Sequence, residues 1–330
     1  MFAVNVRRTV IALCAFSALA LTVAACGGDD DSGSGGDEVT VYSSLPLQGA
    51  SRPIGEALQQ GMELAFQQAD NKAGDVTVNF EPLDDSTAQA GAWTPEAESA
   101  NARKAIQDDS AVGYLGTFNS GAAAISIPLL NEADMAMLSP GNTAVGLTTD
   151  EAGAEPGEPD KYYPSGTRNY ARIIPKDTVQ GAVLAKLMEE DGCTTVGILN
   201  DQEVYGEGLA ENVEVAGEGS FDVVSNEGID PKAANYRSVA SDLADQGVDC
   251  FFFSGIAANG AVQLYKDVAA AIPDAQLYGP DGVAESTFYD PAEGGLPADV
   301  ADRVTVTVAS LDPEEYSEEG QKFFEDYAAE

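Results

Sequence analysis

The chain contains no histidine, a single tryptophan (Trp93), four cysteines, and 16 Lys and Arg against 55 Asp and Glu. Without histidine it lacks the usual general base and the commonest zinc ligand, so hydrolases and zinc enzymes lose their ordinary equipment. No cofactor and no metal site are expected. The scarcity of basic residues leaves a formal net charge of −39. Such a surface repels nucleic acid and anionic lipid head groups, and it equally suits a protein kept hydrated in a saline medium. After the N-terminal region no apolar run approaches the roughly 18 residues of a spanning helix. No GxGxxG or Walker sequence stands in a strand-to-helix context, so nucleotide binding has no specific support.

The N-terminus is rich in what the rest lacks. Arg7 and Arg8 precede an apolar run from Thr9 to Ala25, which ends in Val23-Ala24-Ala25-Cys26. That order is expected of a bacterial secretion signal over residues 1–25, with the small-small-Cys ending making Cys26 the lipidated first residue of the mature protein. An ordinary cleaved signal with a chance cysteine is the alternative. Residues 26–37, through Asp29-Asp30-Asp31 and Gly35-Gly36, have the composition of a flexible, solvated tether. The expected location is therefore the periplasm or cell surface, on a lipid anchor.

The remaining chain is longer than one core usually supports, so two lobes are expected. Short β-rich runs at Val39–Ser43, Val76–Glu81, Val112–Leu115, Met135–Leu138, Val196–Leu199, Phe221–Val224, Val248–Phe253, Gln276–Tyr278 and Val304–Val308 alternate with amphipathic segments such as Gly55–Ala69, Ala122–Asn131, Val179–Glu190 and Glu207–Val215. This reads as an α/β protein with parallel sheets covered by helices. The acidic Gly/Pro stretch Asp150–Lys161 breaks the pattern. The expected division is 38–172 for the first lobe, 173–303 for the second, and 304–330 for a return to the first.

Cys193 and Cys250 each open a predicted strand. If those strands are neighbours, the sulfurs are close and an oxidising exterior would join them. Two buried free thiols are the alternative.

In parallel sheets, ligands gather at the carboxyl ends of strands, where loops meet helix N-termini. Several loops there are rich in small and hydroxyl residues: Leu45–Arg52, Gly116–Gly121, Ser139–Ala144, Asp201–Gly208 and Gly279–Gly282. Ser120 can reach a ligand carboxylate or serve only as a helix cap. Asp281 lies in an ordinary Pro-Asp-Gly turn sequence. Anion donors in one lobe with an aromatic and a carboxylate in the other are what a zwitterion needs for its two ends. No nucleophile-base pair is visible around Ser120 or Asp281, so an enzyme is not expected.

Gly61, Asp84-Asp85, Ser139-Pro140 with Leu147-Thr148, Gln180-Gly181, Tyr205–Ala210 and Gly279–Val283 occur in an order and spacing that resembles the branched-chain amino acid binding proteins of ABC transporters, with the type I periplasmic binding fold. The resemblance runs from Val39 to the C-terminus. It implies two Rossmann-like lobes joined by hinge crossovers, closing on a ligand, with permease subunits and an ATPase as transport partners and a monomeric state. It implies that Ser120 and Thr143 bind the ligand α-carboxylate with help from the Gly141 backbone, that Tyr205 is the pocket tyrosine, and that Asp281 meets the α-ammonium. Ile54 and Ile256 fall where such proteins often carry tyrosine, and Arg52 enters the first loop, so Arg52 and Ile256 are expected to modify side-chain specificity. An amide, a short-chain carboxylate or a sensory role are the rival readings. Ala90–Glu98 looks like an insertion, with Trp93 packing locally. Members of the family continue for several elements beyond the position of Glu330, so a C-terminal truncation is expected.

Overall fold

The computed structural model describes residues 38–329. The expected signal, Cys26 and the tether lie outside the described residues.

Two parallel sheets organise these residues. The first contains β1 (Glu38–Leu45), β2 (Lys72–Ala73), β3 (Val76–Asp84), β4 (Ala111–Gly116), β5 (Ala136–Ser139) and β6 (Tyr170–Arg172), in the order β2-β3-β1-β4-β5-β6. Only the two-residue β2 runs antiparallel, to β3. The second contains β7 (Thr195–Asn200), β8 (Asp222–Gly228), β9 (Cys250–Ser254), β10 (Gln276–Gly279) and β11 (Val304–Val306), in the order β11-β10-β9-β7-β8, all parallel. In each sheet one central strand has its sequence successors on opposite sides: β1 between β3 and β4, and β7 between β8 and β9. Chains leaving the carboxyl ends of such strands diverge and open a crevice for ligands.

The helices between strands are α1 (Arg52–Gln68), α2 (Pro95–Ile106), α3 (Ser120–Glu132), α4 (Asp177–Glu190), α5 (Val204–Ala216), α6 (Arg237–Asp245) and α7 (Val262–Ala271), followed by the single turns α8 (Ser286–Tyr289) and α9 (Ala298–Ala301) and by α10 (Glu318–Ala329). Local chemistry sets their starts. Pro53 stands in the first turn of α1, and Thr94 caps α2 by accepting from the Ala97 amide at 3.2 Å, just before Pro95.

The second sheet is buried on both faces. Along β9, Phe251 and Phe253 point into one core with Leu264, Tyr265 and Phe288, while Cys250 and Phe252 point into another with Leu209 and Val213. A continuous apolar strand is what two covered faces require. The first sheet packs Tyr42, Tyr114 and Met137 against Ala102, Ile127 and Leu130 of α2 and α3. On its other face Val112 and Leu138 are 53% and 40% exposed.

Cys193 and Cys250 are joined by a disulfide at the amino ends of β7 and β9, which pair directly.

Two sequence expectations change. The run at Val304 does not begin the return: Val304–Val306 pairs with Leu277–Gly279 as an edge strand of the second sheet, and both valines pack on its core. The crossing follows at Thr307, whose carbonyl and hydroxyl accept from Gln180 at 3.2 and 3.0 Å. After it, α10 packs on the first lobe, where Tyr327 donates to the Ala57 carbonyl of α1 at 3.2 Å. The sequence reading also passed over β6, whose three residues are too few for periodicity to register.

Candidate functional site

The loops at the carboxyl ends of the two sheets face each other across a cavity with about 380 Å³ of empty space, part of it open to solvent. Phe118, Asn119, Ser120 and Gly121 follow β4, and Gly141 and Thr143 follow β5. From the second lobe, Glu203 and Tyr205 follow β7, Ile256 follows β9, and Asp281 and Gly282 follow β10.

The first lobe presents a helix N-terminus and hydroxyls. Ser120 and Gly121 are the first two residues of α3. Amides in a helix's first turn have no partner within the helix, and the helix dipole favours an anion there. Ser120 is buried, and its Oγ accepts from the Ala144 amide at 3.2 Å. The loop behind is fixed by its own bonds. Ser139 Oγ donates to the Thr117 carbonyl at 2.9 Å, Asn142 Nδ2 donates to the Phe118 carbonyl at 2.9 Å, and Tyr170 donates to Asn142 Oδ1 at 3.1 Å. The Gly141 amide donates to Ser139 Oγ at 3.1 Å, so this group, expected to assist a ligand, already has a partner. Gly121 is required by close approach, because a Cβ there would stand 2.7 Å from Trp93 Cζ2. Trp93, paired through Ser86, thus packs on the outside of the pocket wall without lining it.

The second lobe presents carboxyls. Tyr205 donates to Asp281 Oδ1 at 2.7 Å, and the Gly282 amide donates to the Tyr205 hydroxyl at 3.4 Å. Burial raises the Asp281 carboxyl above the usual range, against the lowering effect of the Tyr205 bond. Burial, with Asp201 and Glu207 nearby, pushes Glu203 up to about 7. Asp201 is a positioning group: it accepts from the Glu203 and Ile256 amides, each at 3.1 Å, and from Asn259 at 2.9 Å, tying the β7 and β9 loops together. Asp177, at the start of α4, is fully buried and neither of its oxygens has a partner. Its carboxyl is raised well above the usual range by burial and by the charge of Asp281. Its amide donates to the Thr143 carbonyl at 2.9 Å, linking the crossover to the first-lobe loop.

Six of the seven expected ligand residues, Ser120, Gly141, Thr143, Tyr205, Ile256 and Asp281, line this one cavity. Arg52 does not. Its guanidinium pairs with Glu56 one turn along α1 at 2.7 Å, with 61% of the side chain exposed. As the first helical residue it has an i,i+4 partner on the solvent face, which draws it away from the cleft. Sequence reasoning missed Glu203, Phe118 and Asp177. Glu203 and Phe118 sat in loops already singled out. Asp177 had only the look of an acid in a helix's first turn, and nothing local signalled its burial.

Among the described residues, no Lys or Arg lines the cavity. The arrangement can hold an anion at the α3 N-terminus and a cation against Asp281 and Tyr205, and a dry cleft would strengthen both contacts.

Residues 38–330 match the family model described as periplasmic binding protein. A Leu/Ile/Val-binding protein of Rhizobium johnstonii is 26% identical over 256 residues, which cover 76% of this chain and 64% of that protein. This chain therefore spans less than two thirds of that relative's length. Among solved structures, an ABC transporter solute-binding protein from R. palustris in complex with benzoate has a TM-score of 0.69 at 21% identity, covering 88% of this chain and 74% of that one. A leucine-binding protein from Thermotoga maritima has a TM-score of 0.70 at 16% identity, covering 88% and 75%. At these identities the structural matches establish a shared fold.

Proposed function

The chain belongs to the periplasmic binding protein family, and from that premise we propose that it is the solute-binding component of an ABC importer, taking an amino acid into the cleft between its lobes. The observation that carries this reading is the division of chemistry across the cavity: the α3 N-terminus with Ser120 and Thr143 on one side, Tyr205 and Asp281 on the other. An α-carboxylate is stabilised by the first set and an α-ammonium by the second. Ile256 and Phe118 supply apolar wall for a branched-chain or related side chain. A simple carboxylate such as benzoate fits the charge less well. It would use the helix terminus but leave Asp281 unpaired and Glu203 close by, a cost that the ammonium of an amino acid removes.

In this reading the lobes close because the ligand's two ends engage different lobes, so its affinity for the closed form exceeds that for the open one. The closed protein then meets permease subunits, as a monomer held to the membrane through Cys26. It binds without turning its ligand over. Isothermal titration of the full chain with leucine, isoleucine, valine, their amides and short-chain carboxylates tests the reading. Saturable binding of an amino acid supports it. Binding confined to an amide or a carboxylate keeps the fold and replaces the ligand, and turnover of any ligand overturns the role itself.

A further inference from the structure

A second cavity, with about 680 Å³ of empty space partly open to solvent, shares Phe118, Gly141, Asp281 and Gly282 with the first, so the two have a wall in common. Its other walls include the apolar side chains of Ile54, Leu58, Ile174 and Val308. Besides Asp281, Glu285 is the one charged residue lining it among the described residues. Glu285 is 8% exposed, and neither of its oxygens accepts a hydrogen bond of good geometry, the neighbouring Thr287 hydroxyl donating instead to the Ala50 carbonyl at 3.4 Å. A carboxyl left without partners in an apolar wall is destabilising, and an apolar side chain would serve the packing better. Glu285 lines the cavity while its two oxygens are shielded from solvent, so a ligand entering there is the group placed to supply the missing partner.

Charge counting points the same way. Among the described residues, Glu203, Asp281 and Glu285 line the two cavities, and no Lys or Arg does. An ordinary amino acid directs its own carboxylate to the α3 N-terminus and has one ammonium for Asp281, which leaves carboxyl groups in excess of the cations that could ionise and pair with them. A second cation on the ligand corrects this.

We propose that the second cavity is the side-chain subsite of the cleft and that Glu285 receives a cationic nitrogen, ammonium or guanidinium, at the end of an apolar stem, making the preferred ligand a basic α-amino acid. The inference rests on the amino acid reading given above and names the class of side chain. The methylene stem lies along Phe118, Ile54, Leu58 and Ile174, as long basic side chains do on apolar surface. Burial pushes the Glu285 carboxyl up to about 8. Asp281 is the other titratable group lining the cavity, while Arg52 and Glu56 of the adjacent α1 pair with each other in solvent. A cation arriving at neutral pH therefore displaces a proton from Glu285.

The test is titration calorimetry of the full chain with lysine, arginine and leucine at pH 7, in two buffers of different ionisation enthalpy, repeated with Glu285→Gln and Glu285→Asp. Expected is a lysine or arginine affinity about tenfold or more above that of leucine, with proton release seen only for the basic ligand. Glu285→Gln should lower the basic-to-leucine affinity ratio by about tenfold and abolish the proton release. Glu285→Asp, which keeps the charge, should retain part of the ratio. Leucine binding with no preference for basic ligands, or a ratio unmoved by Glu285→Gln, overturns the subsite and leaves the amino acid reading standing. Failure of all three ligands to bind removes the reading on which it rests.

Discussion

On the first lobe's side of the cleft the polar groups mostly have partners, whereas on the second lobe's side the acidic groups largely lack them. Ser139, Thr117, Asn142 and Tyr170 bond to one another or to the backbone around the β4 and β5 loops, and among the fully buried side-chain atoms lining the pocket there Asn119 Oδ1 is left without a partner. Opposite them, Asp281 has Tyr205 for a donor, while Asp177 behind it and Glu285 beside it have none. One wall is therefore preorganised, and the other is held in a state that a positive charge would relieve. For the hinge closure proposed above, this difference has a use. The neutral wall can dock a ligand in the open form, and the acidic wall gains only when closure brings it to the ligand's cation.

The contrast can be broken by moving charge or by moving structure. The largest effect is expected from structure alone. Removing the Cys193–Cys250 disulfide, which closes a loop of sequence separation 57, should cost about 4 kcal/mol of stability, read as a lower melting temperature. Ligand affinity should not change, since the bond lies at the amino ends of the strands and the cleft at the carboxyl ends. Asp281→Asn should weaken amino acid binding by about 2–4 kcal/mol, because the ammonium loses its charged partner in a desolvated site, and calorimetry reads this directly. A loss on that scale at Ser120→Ala instead would place the discriminating chemistry on the wrong wall. Ser120→Ala should cost only about 1 kcal/mol of affinity, since the α3 amides remain. Arg52→Ala should leave affinity within about twofold, as its exposed pair with Glu56 is far from decisive.

A pH series separates the cleft from a second acidic site in the first lobe. Glu98 is buried, accepts from Ser44 at 2.5 Å and from Tyr114 at 3.0 Å, and burial pushes it up to about 7 from 4.5. Between pH 4.5 and 7 the folded chain holds a proton that the unfolded chain has lost, so stability falls as pH rises through that window. The loss is on the order of 3 kcal/mol, complete above about pH 7. Glu203 acts in the same direction over the same window. Glu98→Gln should flatten the fall in melting temperature without altering ligand affinity, and an unchanged slope would show that Glu98 is not the group responsible.

The strands and most helices were legible because hydrophobic periodicity reports which faces are buried: Val39–Ser43, Val196–Leu199 and Val248–Phe253 fall within or beside β1, β7 and β9. The loops that line the cavity were legible from their small and hydroxyl residues after predicted strands. What escaped depends on distant packing. Asp177 and Glu285 look like surface acids, and their burial depends on packing that no local sequence signal reports. Arg52 looked like a loop cation until a full helical turn placed Glu56 beside it. Val304–Val306 has a strand's composition, but which sheet it joins is set by the open edge of β10.

The central claim is that the cleft selects for an ammonium group. It is tested most directly by comparing, in one calorimetric series on the full chain, the amino acid that binds best with its deaminated analogue of identical side chain and carboxylate. Removing the amine is expected to cost about a hundredfold or more in affinity, and Asp281→Asn to erase most of that difference. Equal affinity for the two compounds, or tighter binding of the one without the amine, would contradict it.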